Sequence, residues 1–220
     1  MAGVASWPHM LKYVIGAAAL IAVLGIAYYL LIMAPAAPEP QPTEDPMANT
    51  PPPTSTYATS TFTVAYPPDF MADPDYAYDQ FGQDKLIHGV KFTIPGTMAT
   101  GTTLAADSYV AVEQLPRART CSADIYIKQD VRSMEIMDDG KQYSLATSST
   151  AATGNTYEEM VYAIPNSSPC TAVRYVIHST NIENYEPGIV QEFDRAKLLE
   201  AFDAIRRSLQ LQTVPTGMTP

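Results

Sequence analysis

The sequence predicts an α+β protein with three parts: an N-terminal single transmembrane helix, a Pro-rich linker, and an antiparallel β-sheet domain with a C-terminal amphipathic helix packed on one face. Three observations predict this. Val14–Met33 is an apolar run without a charge, residues 62–180 contain short runs of alternating polar and apolar residues, and Arg195–Leu209 repeats apolar residues at helical spacing. One amphipathic helix after many strands is typical of an α+β domain.

These patterns divide the chain into five segments. They are a cytoplasmic stub (1–12), the transmembrane helix (13–33), a Pro/Thr-rich linker (34–61), an extracytoplasmic α+β domain (62–211) and a disordered tail (212–220). The linker cannot bury a core, and its prolines favour extended polyproline II, which would hold the domain away from the membrane.

The apolar run is long enough to cross a bilayer. At about 1.5 Å per residue it spans roughly 30 Å, the thickness of the hydrocarbon core. Lys12 precedes it and the next basic residue is Lys85, so the positive-inside rule places the N-terminus in the cytoplasm and the C-terminal domain outside. We expect a single-pass protein of the plasma (inner) membrane. A cleaved signal peptide is the alternative, since residues 34–36 resemble a cleavage site.

The charge balance narrows the range of partners. The formal net charge is −10, and no run of lysine or arginine occurs. An acidic surface disfavours binding to nucleic acid or to anionic lipid. No cofactor is predicted.

The two cysteines, Cys121 and Cys170, both lie on the side predicted to be exported. An oxidising compartment permits a disulfide between them. Closing a 49-residue loop would stabilise the fold by about 4 kcal/mol in the chain-entropy model. Two buried free thiols are the alternative, and a zinc site is disfavoured because neither cysteine has a partner at ligand spacing.

Alternating apolar residues place the strands of the first half of the domain. The Asp138-Asp139-Gly140 turn predicts a hairpin over 134–145, because Asp-Gly suits a type I′ turn. His88 falls on the apolar face of the predicted strand 85–94, where a buried, hydrogen-bonded histidine is expected. The other predicted strands are 62–66, 85–94, 107–115 and 121–127.

The segment 69–84 combines acids with tyrosines. Its alternation breaks at Ala77, and a tyrosine occupies the position where a calcium loop needs glycine, so no metal site is predicted. We expect a solvated loop or a short helix, and keep its central residues as a candidate aromatic and acidic binding loop. These residues are Asp73, Asp75, Tyr76, Tyr78 and Asp79.

A second hairpin, residues 157–164 with 170–180, contains the densest cluster of polar groups. If its residues pair with numbers summing to 333, Glu159 faces Arg174 and Asn155 faces His178. These four residues form a candidate polar surface site, for which a solvent-exposed cross-strand ion pair is the alternative interpretation.

The chain ends in a helix predicted over Arg195–Leu209. Asp194 is its predicted N-cap, and Asp203 with Arg207 forms an i,i+4 pair. Apolar residues at helical spacing define the buried stripe. They are Leu198, Leu199, Phe202, Ile205 and Leu209.

Three segments carry a resemblance to known proteins: GNTYEEMVYAI (154–164), CTAVRYVIHSTNIENYEPG (170–188) and EFDRAKLLEAFDAIRRSL (192–209). They resemble an uncharacterised family of small bacterial membrane-anchored proteins, which implies an exported α+β domain. VAYPPDF (64–70) is similar to the start of PsbP-like domains, with Phe70 in place of tryptophan. PsbP-like domains are mostly non-catalytic subunits and adaptors, which by analogy favours binding.

The sequence therefore favours a non-catalytic extracytoplasmic binding or adaptor domain at the cell envelope, with an envelope protein or glycan as partner. A structural subunit of an envelope or surface assembly is the alternative. An envelope hydrolase is a weaker alternative, because the chain has no G-x-S-x-G nucleophile elbow and its cysteines are expected to be oxidised. No catalytic residue is predicted.

Overall fold

The structure, a computed structural model, describes residues 24–29 and 54–212. Residues 24–29 are helical and belong to one unit of the chain, and 54–212 form the other. Within these two ranges no helix is both long and apolar enough to cross a membrane. The predicted stub, most of the predicted transmembrane helix, the linker up to 53 and the tail from 213 lie outside the described residues.

Residues 54–212 contain eleven strands. In chain order they are β1 (Ser55–Ala58), β2 (Phe62–Tyr66), β3 (Met71–Asp73), β4 (Ala77–Tyr78), β5 (Ile87–Thr93), β6 (Tyr109–Leu115), β7 (Met134–Asp138), β8 (Lys141–Ala152), β9 (Asn155–Ala163), β10 (Cys170–Thr180) and β11 (Gln210–Leu211).

The strands form two antiparallel sheets. The large sheet has the order β3-β5-β6-β10-β9-β8-β7, with β4 also paired to β5, and the small sheet has the order β1-β2-β11. Two helices, α1 (Gly96–Ala99) and α2 (Arg195–Ser208), accompany them, with 3₁₀ turns at 83–85, 123–126 and 182–184. The large antiparallel sheet with the C-terminal helix packed against it confirms the α+β class.

Helix α2 begins where its cap predicts. The carboxylate of Asp194 accepts a hydrogen bond from the backbone N–H of Lys197 at 3.0 Å, which satisfies one of the free donors of the first turn. Leu198, Phe202 and Ile205 are buried against the large and small sheets. This stripe forms the main core together with Val173, Tyr175 and Ile177 of β10.

The opposite face of the large sheet is also covered. Ala111, Val161 and Ala172 on this face are buried beneath β4 and the 3₁₀ turn of residues 123–126. Because both faces are buried, a polar residue anywhere in the centre of the sheet is removed from water.

One strand prediction and one burial prediction fail near this second core. Cys121–Ile127 is not a strand: Ala123 and Tyr126, three residues apart, share one side of a 3₁₀ turn, and both are buried. His88 is exposed rather than buried, because its end of β5 extends beyond the main core, whereas Ile87 beside it is buried in the second one.

The folded domain also begins earlier than predicted. Strand β1 lies within the range assigned to the linker, and its residues pair with β2 from Ser55 opposite Tyr66 to Ala58 opposite Thr63. Tyr57 supplies the apolar contact that fixes it, with its ring centroid 6.2 Å from that of Phe62.

The turn and the cysteine pair agree with prediction. Asp139 and Gly140 both have positive φ, as a type I′ turn requires, and Asp138 pairs with Lys141. Cys121 and Cys170 form a disulfide. A disulfide is consistent with an oxidising, extracytoplasmic location for this domain.

Candidate functional site

The candidate site is organised around Arg174, in the middle of β10. Its neighbours Val173 and Tyr175 point into the main core, so Arg174 points to the opposite face of the sheet, where its side chain is completely buried. Two glutamates flank it diagonally: Glu113 of β6 lies opposite Ala172, and Glu159 of β9 lies opposite Val176.

Every nitrogen of this guanidinium donates a hydrogen bond. Nε and Nη2 bind the two carboxylate oxygens of Glu113 at 2.7 and 2.9 Å, Nη1 binds Glu159 at 2.8 Å, and Nη2 also binds the carbonyl of Tyr126 at 2.6 Å. Burial alone would lower the pKa of Arg174, but its partners, Glu113 foremost and then Tyr78 and Glu159, together outweigh burial and raise the pKa above its ordinary value. The fixed fork of arginine therefore holds both glutamates in place.

Tyrosines cover this ion pair. The ring of Tyr78 lies over the guanidinium, 3.6 Å from its centroid to Cζ, and its hydroxyl donates to Glu159 at 3.0 Å. Tyr76 donates to Glu113 at 3.0 Å and lies 3.1 Å from the hydroxyl of Tyr109. Burial raises the pKa of Tyr76 and Tyr78, and raises that of Tyr109 to about 12, so these phenols stay protonated donors at neutral pH.

The four residues of the predicted polar surface site form two separate contacts, Arg174 with Glu159 and His178 with Asn155, and the first of these is buried rather than exposed. The observed pairs sum to 335, two residues from the predicted register. A slip of two keeps every side chain on its predicted face, so Arg174 still meets Glu159, diagonally. Arg174 is buried because β4 and the turn at 123–126 cover it, so an exposed ion pair is excluded.

His178 lies on the same face as Arg174, further along β10. Its Nδ1 is 2.7 Å from Asp107, its Nε2 is 3.1 Å from Asn155, and its ring stacks on that of Tyr157 with centroids 4.3 Å apart. Both ring nitrogens therefore have side-chain partners. Within residues 54–212 no hydroxyl is hydrogen-bonded to either nitrogen, so the arrangement orients the ring without a nucleophile.

In the predicted aromatic and acidic loop, the tyrosines and the aspartates have different environments. Tyr76 and Tyr78 are buried, Tyr78 over Arg174 and Tyr76 against Glu113, so the expectation of a solvated loop or short helix is wrong for them: Tyr76 precedes β4 and Tyr78 lies in it. Asp75 and Asp79 are exposed, and Asp73 forms an ion pair with Lys91 at 3.4 Å. In residues 24–29 and 54–212, no three His, Cys, Asp or Glu side chains are grouped so as to hold a metal ion.

A cleft of about 390 Å³ opens beside this cluster, and we call it the tyrosine cleft. Glu159 and Val176 lie on the sheet at its base, and exposed polar side chains of two loops form its rim. Four tyrosine side chains from three parts of the chain line it: Tyr76, Tyr78, Tyr109 and Tyr157.

Sequence reasoning missed Glu113, the main partner of Arg174. A signal was present: Tyr109, Ala111 and Glu113 alternate with valines on β6, so neither face of that strand reads as plainly solvent-exposed. The charge of a glutamate on a strand that is buried on both faces needs a cation beside it. Arg174, on the neighbouring strand, is the completely buried cation that pairs with Glu113.

A larger cavity, of about 760 Å³, lies beside the disulfide. Its lining is mostly serine, threonine and amide side chains, and its two charged residues, Arg119 and Glu135, are exposed. It lacks the buried charges that fix the walls of the tyrosine cleft.

Neither the models of known protein families nor the curated proteins give a match to this chain.

Proposed function

We propose that this chain is a membrane-anchored extracytoplasmic domain that binds a partner at the cell envelope without catalysing a reaction, and that the tyrosine cleft is its binding site. The observation that carries the proposal is the cleft itself, which is preformed and backed by the completely buried Arg174. A concave site with aromatic walls and a few fixed polar groups is the usual form of a ligand site.

Rigid walls favour binding because their side chains lose little conformational entropy when the ligand binds. Tyr78 and Glu159 are each held by Arg174, one by stacking and one by a hydrogen bond of 2.8 Å. The wall of the cleft is thus fixed before any ligand binds.

The geometry also supports a non-catalytic role. His178, whose ring stacks on Tyr157 of the cleft, has both ring nitrogens engaged, by Asp107 and Asn155. A general base needs a free nitrogen within reach of the proton it removes. Arg174 is completely buried, and four of its five N–H donors already bind Glu113, Glu159 and the carbonyl of Tyr126, so it is poorly placed to stabilise a reacting group.

The proposed location rests on two kinds of support. The disulfide between Cys121 and Cys170 favours an oxidising compartment, and the apolar run Val14–Met33 supplies a hydrophobic segment of membrane-spanning length. The resemblance of the C-terminal half to small bacterial membrane-anchored proteins agrees with this placement.

Site-specific cross-linking tests the binding site. A photoreactive residue at Gln80, on the rim of the cleft, is compared in intact cells with the same residue at Gln210, which is exposed on the small sheet. We expect a discrete cross-linked product at position 80 and none at position 210. Equal products at both positions, or none at either, would contradict the proposal.

Protease added to intact cells tests the location. We expect the domain to be digested while a cytosolic control protein survives. A domain that survives intact until the cells are lysed would place it inside and remove the envelope role.

A structural subunit is the second candidate, favoured by the exposed edge of β7. In the part of the chain that the structure describes, β7 ends the large sheet, and Met134 and Met137 on it are 62 % and 67 % exposed. An apolar edge strand is a template for pairing with another chain. The size of the protein after gentle detergent extraction distinguishes the two candidate functions. A stable high-mass complex that is lost in the double variant Met134→Lys/Met137→Lys supports the structural subunit. A monomer supports transient binding.

A further inference from the structure

The lining of the tyrosine cleft indicates the chemical class of its ligand. This inference rests on the binding function proposed above. Four tyrosines line the cleft, whereas the charged side chains on its rim are few: Asp79 and Lys128 are exposed there, and Glu159 lies at the base. The lining therefore offers aromatic rings and hydrogen-bonding groups rather than a strong field of one sign.

Tyr157 provides a fixed aromatic platform at the edge of the cleft. Tyr157 is 38 % exposed, and its ring lies nearly parallel to that of His178, at an interplanar angle of 21°. Hydrogen bonds to Asp107 and Asn155 fix His178 in turn. One face of the tyrosine is covered by the histidine, which leaves the other for a ligand.

Glu159 places a hydrogen-bond acceptor beside this platform. It lies two residues from Tyr157 on the same face of β9, about 7 Å along the strand. Its carboxylate already accepts from Tyr78 and Arg174, and 17 % of its side chain remains exposed. An ionised carboxylate has about four lone-pair positions, so capacity remains for a hydroxyl donor from the ligand.

Charged ligands fit this cleft poorly. An anion would face two carboxylates, Asp79 and Glu159, and of the residues lining the cleft only Lys128 could offset them. A cation is the usual partner of several tyrosine rings, but three of the four rings already have one: Arg174 covers Tyr78, and the ammonium of Lys91 lies 5.5 Å from the ring of Tyr76 and 5.6 Å from that of Tyr109.

We propose that the tyrosine cleft binds a neutral oligosaccharide, with one sugar ring stacked on Tyr157 and a hydroxyl of the sugar donating to Glu159. The C–H groups of a sugar face carry slight positive charge and pack on the negative face of an aromatic ring. The hydroxyls around that ring match the remaining polar groups of the rim, the amides of Gln80 and Gln129 and the hydroxyl of Thr150.

The test uses the full chain purified in detergent. It is screened on an array of neutral glycans, with spermidine and citrate as cationic and anionic probes, and the best oligosaccharide is titrated by calorimetry. We expect saturable binding of a neutral oligosaccharide. The variant Tyr157→Ala should weaken it at least tenfold, whereas Tyr157→Phe, which keeps the ring, should bind as the unaltered chain does.

Tyr185→Ala is the matched control, because Tyr185 is 36 % exposed and does not line the cleft. It should leave the affinity unchanged, and thermal unfolding confirms that each variant folds. Two results overturn the inference: no neutral glycan on the array binds, or Tyr157→Ala binds as tightly as Tyr185→Ala. If cross-linking at position 80 persists in either case, the carbohydrate inference alone fails and the binding function stands.

Discussion

Two buried arginines lie on opposite faces of the same sheet, and they are buried in different ways. Arg174 lies beneath the tyrosine cleft, and Arg206 of α2 lies on the helix side, where 2 % of its side chain is exposed. Both guanidinium groups stack on tyrosine rings and pair with carboxylates. The two sites differ in how completely the charge is enclosed.

Arg206 sits at the border of the core. Its Nε donates to Tyr175 at 2.8 Å, and its Nη2 donates to Asp138 and Asp203, each at 2.9 Å. Those two carboxylates are 27 % and 26 % exposed. Within the described residues Nη1 of Arg206 has no hydrogen-bond partner, whereas every nitrogen of Arg174 has one.

The difference separates a sealed ion pair from an open one. Glu113 has no exposed surface, so its charge depends wholly on Arg174 and the hydroxyl of Tyr76. Asp138 and Asp203 reach water and can be solvated if Arg206 is lost. Burying a charge without a partner is far more costly than leaving one at the surface, so the two arginines should respond very differently to the same substitution.

The largest effect is expected for Arg174→Met. It leaves Glu113 as an uncompensated buried charge, which should lower the free energy of unfolding by about 3–5 kcal/mol. Urea denaturation measures this. The double variant Arg174→Met/Glu113→Leu should recover a large part of the loss, because it removes both charges. A loss below about 1 kcal/mol for the single variant would show that Glu113 finds another partner or is neutral.

Arg206→Met should cost less, about 1–3 kcal/mol. The variant loses hydrogen bonds to charged groups, but Tyr175 still donates to Asp203, Arg207 still binds Asp138, and the unpartnered Nη1 is removed. The same urea titration is used for both arginines. If Arg206→Met proves as damaging as Arg174→Met, the distinction between the sealed and the open site is wrong.

The sequence predicts the strands that place Arg174 better than it predicts the burial of Arg174. Alternation in β10 correctly puts Val173, Tyr175 and Ile177 on one face, and the Asp-Gly turn correctly places the β7–β8 hairpin. Even a register wrong by two residues keeps Arg174 near Glu159, because side-chain faces repeat with a period of two.

What covers the second face could not be predicted from β10 itself. The cover comes from β4 and from the turn at 123–126, two short segments that are far from Arg174 in the chain. The pattern of the first predicts a loop or short helix, and that of the second predicts a strand. Arginine on an alternating strand usually marks the solvent side, so local pattern favoured exposure. Only the long-range packing of Tyr78 and Tyr126 decides otherwise.

The ion pairs of the open site, around Arg206, should make the stability of the fold depend on pH in the acid range. The hydrogen bond from Arg207, helped by Arg206, lowers the pKa of Asp138 from an ordinary 3.8 to about 2. A depressed folded-state pKa stabilises the fold above the unfolded value, and this contribution is lost as pH falls from about 4 to 2. We expect a loss of about 1–2 kcal/mol, allowing for solvent screening.

Urea titrations between pH 5 and 2 measure this loss, with Asp138→Asn as the control. The amide does not titrate, so the stability of that variant should depend less steeply on pH in this range. An identical slope in both proteins would exclude Asp138 as a source of acid sensitivity.

The smallest effect is expected one residue further along the helix. The side chain of Arg207 is 43 % exposed, and its bonds to Asp138, at 2.9 and 3.1 Å, lie at the surface. Arg207→Met should therefore cost under about 1 kcal/mol. Because Arg206 and Arg207 share Asp138, the double variant leaves that carboxylate without either cation and should lose more stability than the two single losses together. Strict additivity would mean that each arginine acts on Asp138 independently, and the open site would then not be a network.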